Sequence, residues 1–245
     1  MKFDEFMLTA LRTARRVAVL TGAGISAESG IPTFREAQTG LWAQYDPQEL
    51  ATPQAFRRNP RLVWEWYAWR RQLVGQAEPN PGHLALAALA RLTPQLTLIT
   101  QNVDGLHQRA GSAAVIELHG NLTRFVCFER RHVASGWAES DDVPPRCAEC
   151  GSWLRPDVVW FGESLPAEAL RQAVVAARSC DVFLSVGTSA LVQPAASLPL
   201  EAWQQGAMVV EINPNETPLT PYVSVYLAGR AGEVLPALLH AAWPE

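Results

Sequence analysis

The sequence has few cysteines, no long apolar run and no excess of positive charge. Four cysteines in 245 residues are too few for a disulfide scaffold. No apolar run reaches the roughly 18 residues that a membrane-spanning helix needs. The acidic residues Asp4 and Glu5 near the N-terminus are atypical of a signal peptide. The net charge of −4 argues against a general affinity for nucleic acid or membrane surfaces. We therefore expect a soluble cytoplasmic protein without membrane or direct nucleic-acid partners.

Apolar residues make up 48% of the chain, which is enough for a large core. Short runs rich in Val, Ile and Leu predict strands at 17–20, 96–100, 115–118, 182–186, 208–212 and 223–227. Amphipathic patterns predict helices at 83–91, 167–178 and 232–242. Buried strands that alternate with helices indicate an α/β fold with a Rossmann-like, doubly wound parallel sheet.

Two segments interrupt this alternation. Residues 37–80 are rich in Trp and Arg and look helical between prolines, and residues 122–155 are polar and carry cysteines. We predict that these segments form a smaller inserted domain with a helical module and a cysteine-bearing module. The sheet domain then comprises residues 1–36, 81–121 and 156–245.

The glycines Gly22 and Gly24 directly follow the first predicted strand, and Ala27 completes the pattern G-x-G-x-x-A. Between a strand and a helix, this pattern is typical of a turn whose backbone N–H groups hold a dinucleotide pyrophosphate. Ser26 and Ser29 offer hydroxyl donors in the same turn. No acidic residue ends a second strand about 20 residues later, which counts against a dehydrogenase. A tight turn without a ligand stays the alternative.

Polar residues follow four of the predicted strands. They form the stretches QNVDGLH (101–107), HGN (119–121), GTS (187–189) and NPN (213–215). In a parallel sheet, ligands bind beyond the carboxyl ends of the strands. One polar strand end is ordinary turn chemistry, but four predict a ligand site at this edge.

These stretches belong to motifs that resemble those of the sirtuins, the NAD-dependent protein lysine deacylases. The motifs run in the family's order over nearly the whole chain: GAGISAESGIPTFR (22–35), TQNVDGLH (100–107), ELHGN (117–121), PDVVWFGE (156–163), GTSALVQPA (187–195) and EINPNET (211–217). The resemblance implies an enzyme that cleaves the nicotinamide–ribose bond of NAD⁺. The acyl group of a modified lysine then passes to the ribose, giving nicotinamide and O-acyl-ADP-ribose.

The resemblance also implies roles for individual residues. His119 matches the general base that takes a proton from a ribose hydroxyl, and a neutral imidazole suits that task. Asn102 matches a second catalytic residue, and Asp104 matches the partner of the nicotinamide carboxamide. Phe34 and Arg35 lie in the loop that covers the nicotinamide in the family. Without the resemblance, His119 reads as a structural hydrogen-bonding residue, and Asn102 and Asp104 read as turn residues.

Two larger sets follow from the same resemblance. The residues expected around NAD⁺ are Gly22, Ala23, Gly24, Ala27, Phe34, Arg35, Gln101, Asn102, Asp104, Gly187, Thr188, Ser189, Asn213, Asn215 and Ala231. The segment expected to align an extended acyl-lysine peptide by strand addition contains Val159, Trp160, Phe161, Gly162 and Glu163.

The stretch WEWYAWRR (64–71) predicts the acyl preference. Tyr67 and Arg70 are three residues apart and share one helix face. The pattern Tyr-x-x-Arg on this helix resembles the bacterial sirtuin class that removes succinyl and malonyl groups. Arg70 would pair with the distal carboxylate of the acyl chain and Tyr67 would add a donor, and acetyl groups are also expected to be removed. We expect Trp64 and Trp66 to pack elsewhere, and Arg71 to extend along the surface.

The cysteines Cys127, Cys147 and Cys150 fall where the family holds structural zinc, but Arg130 replaces the fourth cysteine and cannot be a ligand. Two alternatives stay open. Either zinc is retained with a substitute ligand or the knuckle has lost the metal. The substitutes are His132, Glu129 and Asp141. A metal-free knuckle would be held by Trp137, Trp153 and ion pairs of Arg130.

Other functions are compatible with the same residues. The activated ribose of NAD⁺ could be transferred to a protein side chain, which is mono-ADP-ribosylation. The chain could also be a non-catalytic NAD sensor, in which His119 is structural. A zinc-ribbon nucleic-acid binder is disfavoured by the acidic net charge and the incomplete ligand set.

Overall fold

The computed structural model describes residues 2–32, 46, 50–136 and 141–244. The helices in these ranges are α1 (Glu5–Thr13), α2 (Gly24–Ala27), α3 (Pro53–Arg58), α4 (Pro60–Gln76), α5 (Pro81–Leu92), α6 (Leu106–Arg109), α7 (Ala167–Ser179), α8 (Leu198–Gln204) and α9 (Ala231–Ala242). The strands are β1 (Arg16–Thr21), β2 (Gln95–Thr100), β3 (Val115–Glu117), β4 (Gly120–Cys127), β5 (Leu154–Val158), β6 (Val182–Val186), β7 (Met208–Asn213) and β8 (Val225–Ala228).

Six strands form a parallel sheet in the order β3-β2-β1-β6-β7-β8. Within it, Val17 of β1 pairs with Leu96 on one side and with Val182 on the other. Strand order runs outward from β1 to β3 and then resumes on the other side with β6. This is the Rossmann order, and the crevice at the reversal between β1 and β6 is where such sheets bind ligands. The predicted fold class is confirmed.

Both faces of the sheet are covered, which explains why the strands read as continuous apolar runs. One core cluster joins the sheet to α1, α5 and α9, with Met7, Leu86 and Leu238 almost fully buried. A second cluster joins the opposite face to α7 and α8 through Ala173 and Leu198. Helices α7, α5 and α9 cover the three helical stretches that the pattern predicts.

The helices of the Trp-rich segment begin at prolines. Pro60 is the first residue of α4, and the Asn59 side chain accepts a hydrogen bond from Leu62 N at 3.1 Å. Proline is favoured there because the first helical N–H has no partner within the helix. The N-terminus of α5 repeats this arrangement with Asn80, which forms a reciprocal capping box with His83.

A separate antiparallel pair, β4 and β5, packs against α3 and α4. Its core contains Phe56, Trp66, Tyr67, Leu122 and Trp160. The pair begins at Gly120 and ends at Val158, so it crosses the domain boundaries predicted at 121/122 and 155/156. The division into domains stays a prediction.

In the described part of the chain, no helix has both the length and the apolar composition needed to cross a bilayer.

Candidate functional site

The turn after β1 packs directly against the turn after β6. Gly22 N donates to Val186 O at 3.0 Å and Gly24 N to Gly187 O at 2.8 Å. A Cβ at Gly24 would lie 2.7 Å from Gly187 O, and one at Gly187 would lie 2.5 Å from Ile25 N. Gly187 also has a φ of +59°, which favours glycine. These glycines therefore let the turns after β1 and β6 approach each other closely at the ligand crevice. The helix that follows the first turn, α2, is only one helical turn long.

Ser26 connects the residues predicted around the nicotinamide end of NAD⁺. Its Oγ donates to Asp104 Oδ2 at 2.7 Å and accepts from Asn102 Nδ2 at 3.1 Å. The same Asn102 amide lies 3.0 Å from Gly22 O, and Leu106 N donates to Asp104 Oδ1 at 2.9 Å. The structure therefore brings Asn102 and Asp104 together, and Asp104 also makes the turn contact that was the alternative. Because its proton goes to Asp104, Ser26 is not the phosphate donor that the sequence suggested.

A layer of buried polar residues supports this network, and sequence reasoning did not identify it. His83 Nε2 lies 3.5 Å from Ser26 Oγ, and His107 Nε2 lies 2.9 Å from Thr21 Oγ1. Burial lowers the pKa of His83 to about 4, against the attraction of Asp104, and lowers the pKa of His107 to about 3. Both imidazoles are therefore neutral near pH 7. The signal that could have revealed His83 is its position in NPGH, at the start of a helix.

Ser29 also has a structural partner. Its Oγ accepts from Asn80 Nδ2 at 2.9 Å, and the same amide donates to Ile25 O at 2.7 Å. Ser29 therefore ties the turn after β1 to the start of α5. It accepts in this contact and keeps its own proton, so its role as a donor towards phosphate stays a prediction.

His119 is half-buried and carries a defined tautomer. Its Nδ1 lies 2.9 Å from Gln101 O. A carbonyl oxygen only accepts, so Nδ1 bears the proton and Nε2 carries the basic lone pair. Burial lowers the pKa of His119, and the bond to Gln101 partly opposes that shift. The next residue, Gly120, could not carry a side chain, because a Cβ would lie 2.0 Å from Asp157 O.

On the opposite side of the crevice, hydrogen bonds join Gln101 and Asn213 to Thr188. Gln101 Nε2 donates to Thr188 Oγ1 at 3.0 Å, and Asn213 Nδ2 donates to Thr188 O at 3.1 Å. Ser189 and Asn215 follow these positions with exposed side chains. The side chains of Gln101, Thr188 and Asn213, which are among the predicted NAD⁺ contacts, thus converge where β2, β6 and β7 end.

The remaining predicted NAD⁺ contacts differ in exposure. Ala231 is buried at the first residue of α9, so only its backbone is suited to a ligand contact. Ala23 is half-buried and Ala27 exposed in the turn after β1. Phe34 and Arg35 lie outside the described residues.

Tyr67 and Arg70 lie together on α4. Tyr67 is fully buried, and burial raises its pKa to about 12. The Arg70 guanidinium carbon lies 5.9 Å from the centroid of the Tyr67 ring and 5.1 Å from that of Trp66. Burial lowers the pKa of Arg70, while Tyr67 and Asp104 oppose that shift. The structure therefore places the Arg70 guanidinium beside the Tyr67 ring.

The tryptophans and Arg71 depart in part from the expectation. Trp66 does not pack elsewhere, because its ring meets Tyr67 edge-on at 4.6 Å. Trp64 does pack elsewhere, 5.2 Å from the Phe125 ring. The Arg71 guanidinium carbon lies beside both rings, at 4.9 and 4.8 Å from their centroids. Arg71 is therefore held by cation–π contacts instead of extending freely along the surface.

The segment predicted to align a peptide is a turn. Strand β5 ends at Val158, and Val159 N donates to His119 O and Phe161 N to Ala51 O, both at 2.9 Å. Trp160 N donates to the Glu163 carboxylate at 2.8 Å. These three N–H groups thus have partners within the chain, and alignment of a peptide by this segment stays a prediction. Phe161 and Gly162 remain exposed.

Glu163 makes its contacts within the chain, with Arg155 and with the backbone of Trp160. Arg155, which is only 1% exposed, binds both of its carboxylate oxygens at 2.6 and 2.8 Å. This ion pair lowers the pKa of Glu163 against the effect of burial. Glu163 therefore holds the turn in place.

The cysteine module contains a cluster of metal-ligating atoms. One ligand atom each from Cys127, His132 and Cys147 lie within 4.8 Å of one another. His132 Nε2 lies 3.2 Å from Cys147 Sγ, and Cys127 Sγ lies 3.4 Å from Cys150 Sγ. Three thiols and one imidazole form a donor set that suits tetrahedral zinc. This arrangement favours His132 over Glu129 and Asp141 as the substitute ligand.

Arg130 is exposed, and its backbone N donates to Cys127 Sγ at 3.4 Å. It shapes the knuckle through its main chain. Of the aromatic residues proposed for a metal-free knuckle, Trp153 stacks with Arg146, whose guanidinium carbon lies 3.2 Å from the centroid of the Trp153 ring. Trp137 lies outside the described residues.

Comparisons with known proteins show the family to which the chain is similar. The sequence model of the Sir2 family matches residues 22–194. A protein of Methylococcus capsulatus called "NAD-dependent protein deacylase" is 52% identical over 249 residues, covering 98% of both chains. "NAD-dependent protein deacylase 2" of Pyrobaculum aerophilum is 54% identical, with 94% of this chain and 92% of that protein covered.

Solved structures show the same likeness. The crystal structure of a Sir2 homologue in complex with NAD has 50% sequence identity and a TM-score of 0.90, and covers 98% of this chain and 94% of that one. A mutant Sir2 homologue in complex with 2′-O-acetyl ADP-ribose has the same identity and TM-score, with 98% and 96% coverage.

Proposed function

The chain belongs to the Sir2 family, and we propose that it is an NAD-dependent protein lysine deacylase that removes succinyl and malonyl groups as well as acetyl groups. The observation that carries the catalytic part is His119. Its Nδ1 proton is committed to Gln101 O, at the carboxyl edge of a Rossmann sheet. The free Nε2 is then a base whose pKa burial lowers, so it is unprotonated at neutral pH. NAD⁺ supplies the ribose that loses nicotinamide and receives the acyl group.

The residues at the crevice suit the two halves of NAD⁺. Asn102 and Asp104 would hold the nicotinamide ribose and carboxamide, in positions fixed by Ser26. Thr188 and Asn213 would hold the adenosine half, with Ser189 and Asn215 beside them. Backbone hydrogen bonds join the turns at Gly22, Gly24 and Gly187. Turns that are held together before the ligand arrives would lower the cost of binding.

The acyl preference rests on Arg70 and Tyr67. A partly buried guanidinium forms no hydrogen bond with the methyl group of an acetyl chain, but it pairs strongly with a carboxylate. The Tyr67 phenol, with a pKa of about 12, stays protonated and can donate a hydrogen bond. Both groups lie on α4, with the Arg70 guanidinium carbon 5.9 Å from the centroid of the Tyr67 ring.

Zinc would be held by Cys127, His132, Cys147 and Cys150. A closed set of four protein ligands is typical of a structural site, so zinc would stabilise the knuckle without taking part in the reaction. Acylated proteins are the proposed partners and the cytoplasm the proposed location.

One assay distinguishes the competing functions. The protein is incubated with NAD⁺ and a succinyl-lysine or acetyl-lysine peptide, and nicotinamide and O-acyl-ADP-ribose are followed by mass spectrometry. Nicotinamide release that requires the acyl peptide and matches O-acyl-ADP-ribose supports deacylation. Labelling of a protein by ADP-ribose without acyl peptide indicates mono-ADP-ribosyl transfer. NAD⁺ binding without turnover indicates a sensor.

A further inference from the structure

A hydrogen bond from Trp160 determines where the hydroxyl proton of Tyr67 can go. Trp160 Nε1 lies 2.9 Å from Tyr67 Oη. An indole nitrogen donates but does not accept, so the Tyr67 oxygen is the acceptor in this bond. The phenolic proton of Tyr67 must therefore point to a different acceptor. The Tyr67 side chain is fully buried, where an unpaired O–H group is costly.

The indole is held in this orientation by Arg155. The Arg155 guanidinium carbon lies 3.3 Å from the centroid of the Trp160 ring. Arg155 also binds Glu163 through two nitrogens, and Glu163 accepts from Trp160 N at 2.8 Å. One ion pair thus fixes both the ring and the backbone of Trp160. The indole N–H consequently has a constant direction towards Tyr67.

A substrate carboxylate is the acceptor that this arrangement suits. Arg70 lies one helical turn after Tyr67, with its guanidinium 5.9 Å from the Tyr67 ring. A carboxylate paired with Arg70 would come within reach of the Tyr67 hydroxyl. A hydroxyl that already accepts a hydrogen bond is also polarised into a stronger donor.

We propose that Trp160 is a positioning residue for acyl selection: its indole N–H occupies the Tyr67 oxygen and directs the Tyr67 proton onto the distal carboxylate of a succinyl or malonyl group bound to Arg70. This inference rests on the acyl preference proposed above. The indole acts through Tyr67 and does not itself bind the acyl group.

The test is a double-mutant cycle with Trp160→Phe, Tyr67→Phe and the combined variant. For each protein, kcat/KM is measured with succinyl-lysine and acetyl-lysine peptides at saturating NAD⁺. Trp160→Phe should lower the succinyl-to-acetyl ratio about 3- to 10-fold, the range expected for one neutral hydrogen bond. The loss should come mainly from a higher KM for the succinyl peptide. In the Tyr67→Phe background, the same change should leave the ratio within about twofold, because no hydroxyl remains to be directed.

A purely structural role for Trp160 gives a different result. The ratio would then stay constant or would fall by the same factor in both backgrounds, and either outcome overturns the proposal. Arg70→Met separates this failure from failure of the proposed function. If Arg70→Met lowers the ratio and Trp160→Phe does not, the acyl preference stands and the positioning role fails. If Arg70→Met leaves the ratio unchanged, the acyl preference is itself wrong.

A second measurement applies if Trp160→Phe does not fold. The wild-type protein is crystallised with a succinyl-lysine peptide, and the distances from Tyr67 Oη are measured. An Oη within about 3.2 Å of the acyl carboxylate, with the Trp160 bond retained, supports the proposal. A separation beyond about 4 Å overturns it.

Discussion

Replacing Arg70 by Met tests the acyl preference most directly. Methionine has a similar length and keeps the apolar contact with Trp66, but it removes the charge. In the wild-type protein the guanidinium lies 5.1 Å from the Trp66 ring, where the surrounding protein screens it less than water does. Burial lowers the pKa of Arg70 but leaves it a cation at neutral pH.

The expected magnitude follows from Coulomb's law. Two unit charges at about 4 Å interact by roughly 4 kcal/mol at an effective dielectric constant near 20. Removing one partner of a buried, hydrogen-bonded charge pair costs about 2–5 kcal/mol. Each 1.36 kcal/mol is a factor of ten in rate. Arg70→Met should therefore reduce kcat/KM for a succinyl-lysine peptide by roughly 30-fold or more, and for an acetyl-lysine peptide by far less.

The neighbouring arginine provides a matched control. Arg71→Met removes the same charge one residue away, from a guanidinium that contacts Trp64 and Phe125. It should lower stability by about 0.5–1 kcal/mol through the lost cation–π contacts and leave the succinyl-to-acetyl ratio unchanged. Equal losses for the two peptides in Arg70→Met would falsify the assignment of Arg70 to the acyl carboxylate.

Four further predictions concern histidines. His119→Ala should still bind NAD⁺ by calorimetry but form product at least about 100-fold more slowly, and activity within about threefold of wild type contradicts a general base. Because its pKa is lowered and the neutral form is active, the acid limb of kcat/KM in the wild type should have its midpoint below about 6.5. The purified protein should carry about one zinc per chain by elemental analysis. The His132→Ala variant should lose this zinc, whereas the control Arg130→Ala, which changes an exposed residue nearby, should retain it. Zinc-free wild-type protein refutes this site. The pKa values of about 4 for His83 and about 3 for His107 lie below the value of about 6.5 in the unfolded chain. Unfolding below pH 6.5 therefore takes up protons, and the free energy of unfolding should fall as the pH drops from about 6.5 towards 4. His107→Gln should flatten that dependence in urea titrations, and equal slopes for variant and wild type contradict it.

The sequence predicts the sheet well because parallel strands that are buried on both faces leave continuous apolar runs. Val182–Val186 is predicted with its observed bounds, β1 extends one residue further at each end, and β2 extends one residue further at its start. The strand ends that carry Gln101, His119 and Thr188 meet at one edge, as parallel strands require. Pattern and topology are enough for these features.

Hydrogen-bond partners are not predictable in the same way. Ser26 reads as a phosphate donor, yet it lies against Asp104, a contact between residues 78 apart in the chain. The segment from Val159 to Phe161 continues the apolar pattern of β5, but its three N–H groups donate to His119 O, the Glu163 carboxylate and Ala51 O. His132 was one of several candidate ligands until the fold placed it against Cys147. Each of these contacts depends on tertiary approach, which no local pattern records.

The interlocked turns at the ligand edge have a consequence for biosynthesis. Gly24 bonds to Gly187, Asn213 bonds to Thr188, and Gly232 N reaches Glu28 across 204 residues of chain. A nascent chain on the ribosome therefore lacks half of its dinucleotide crevice until β6 and β7 have emerged. Contacts of such long range also slow folding, since a large loop must close before they form. Enzymatic activity in this chain should thus arise only after nearly complete translation, and N-terminal translation intermediates should neither consume NAD⁺ nor deacylate proteins.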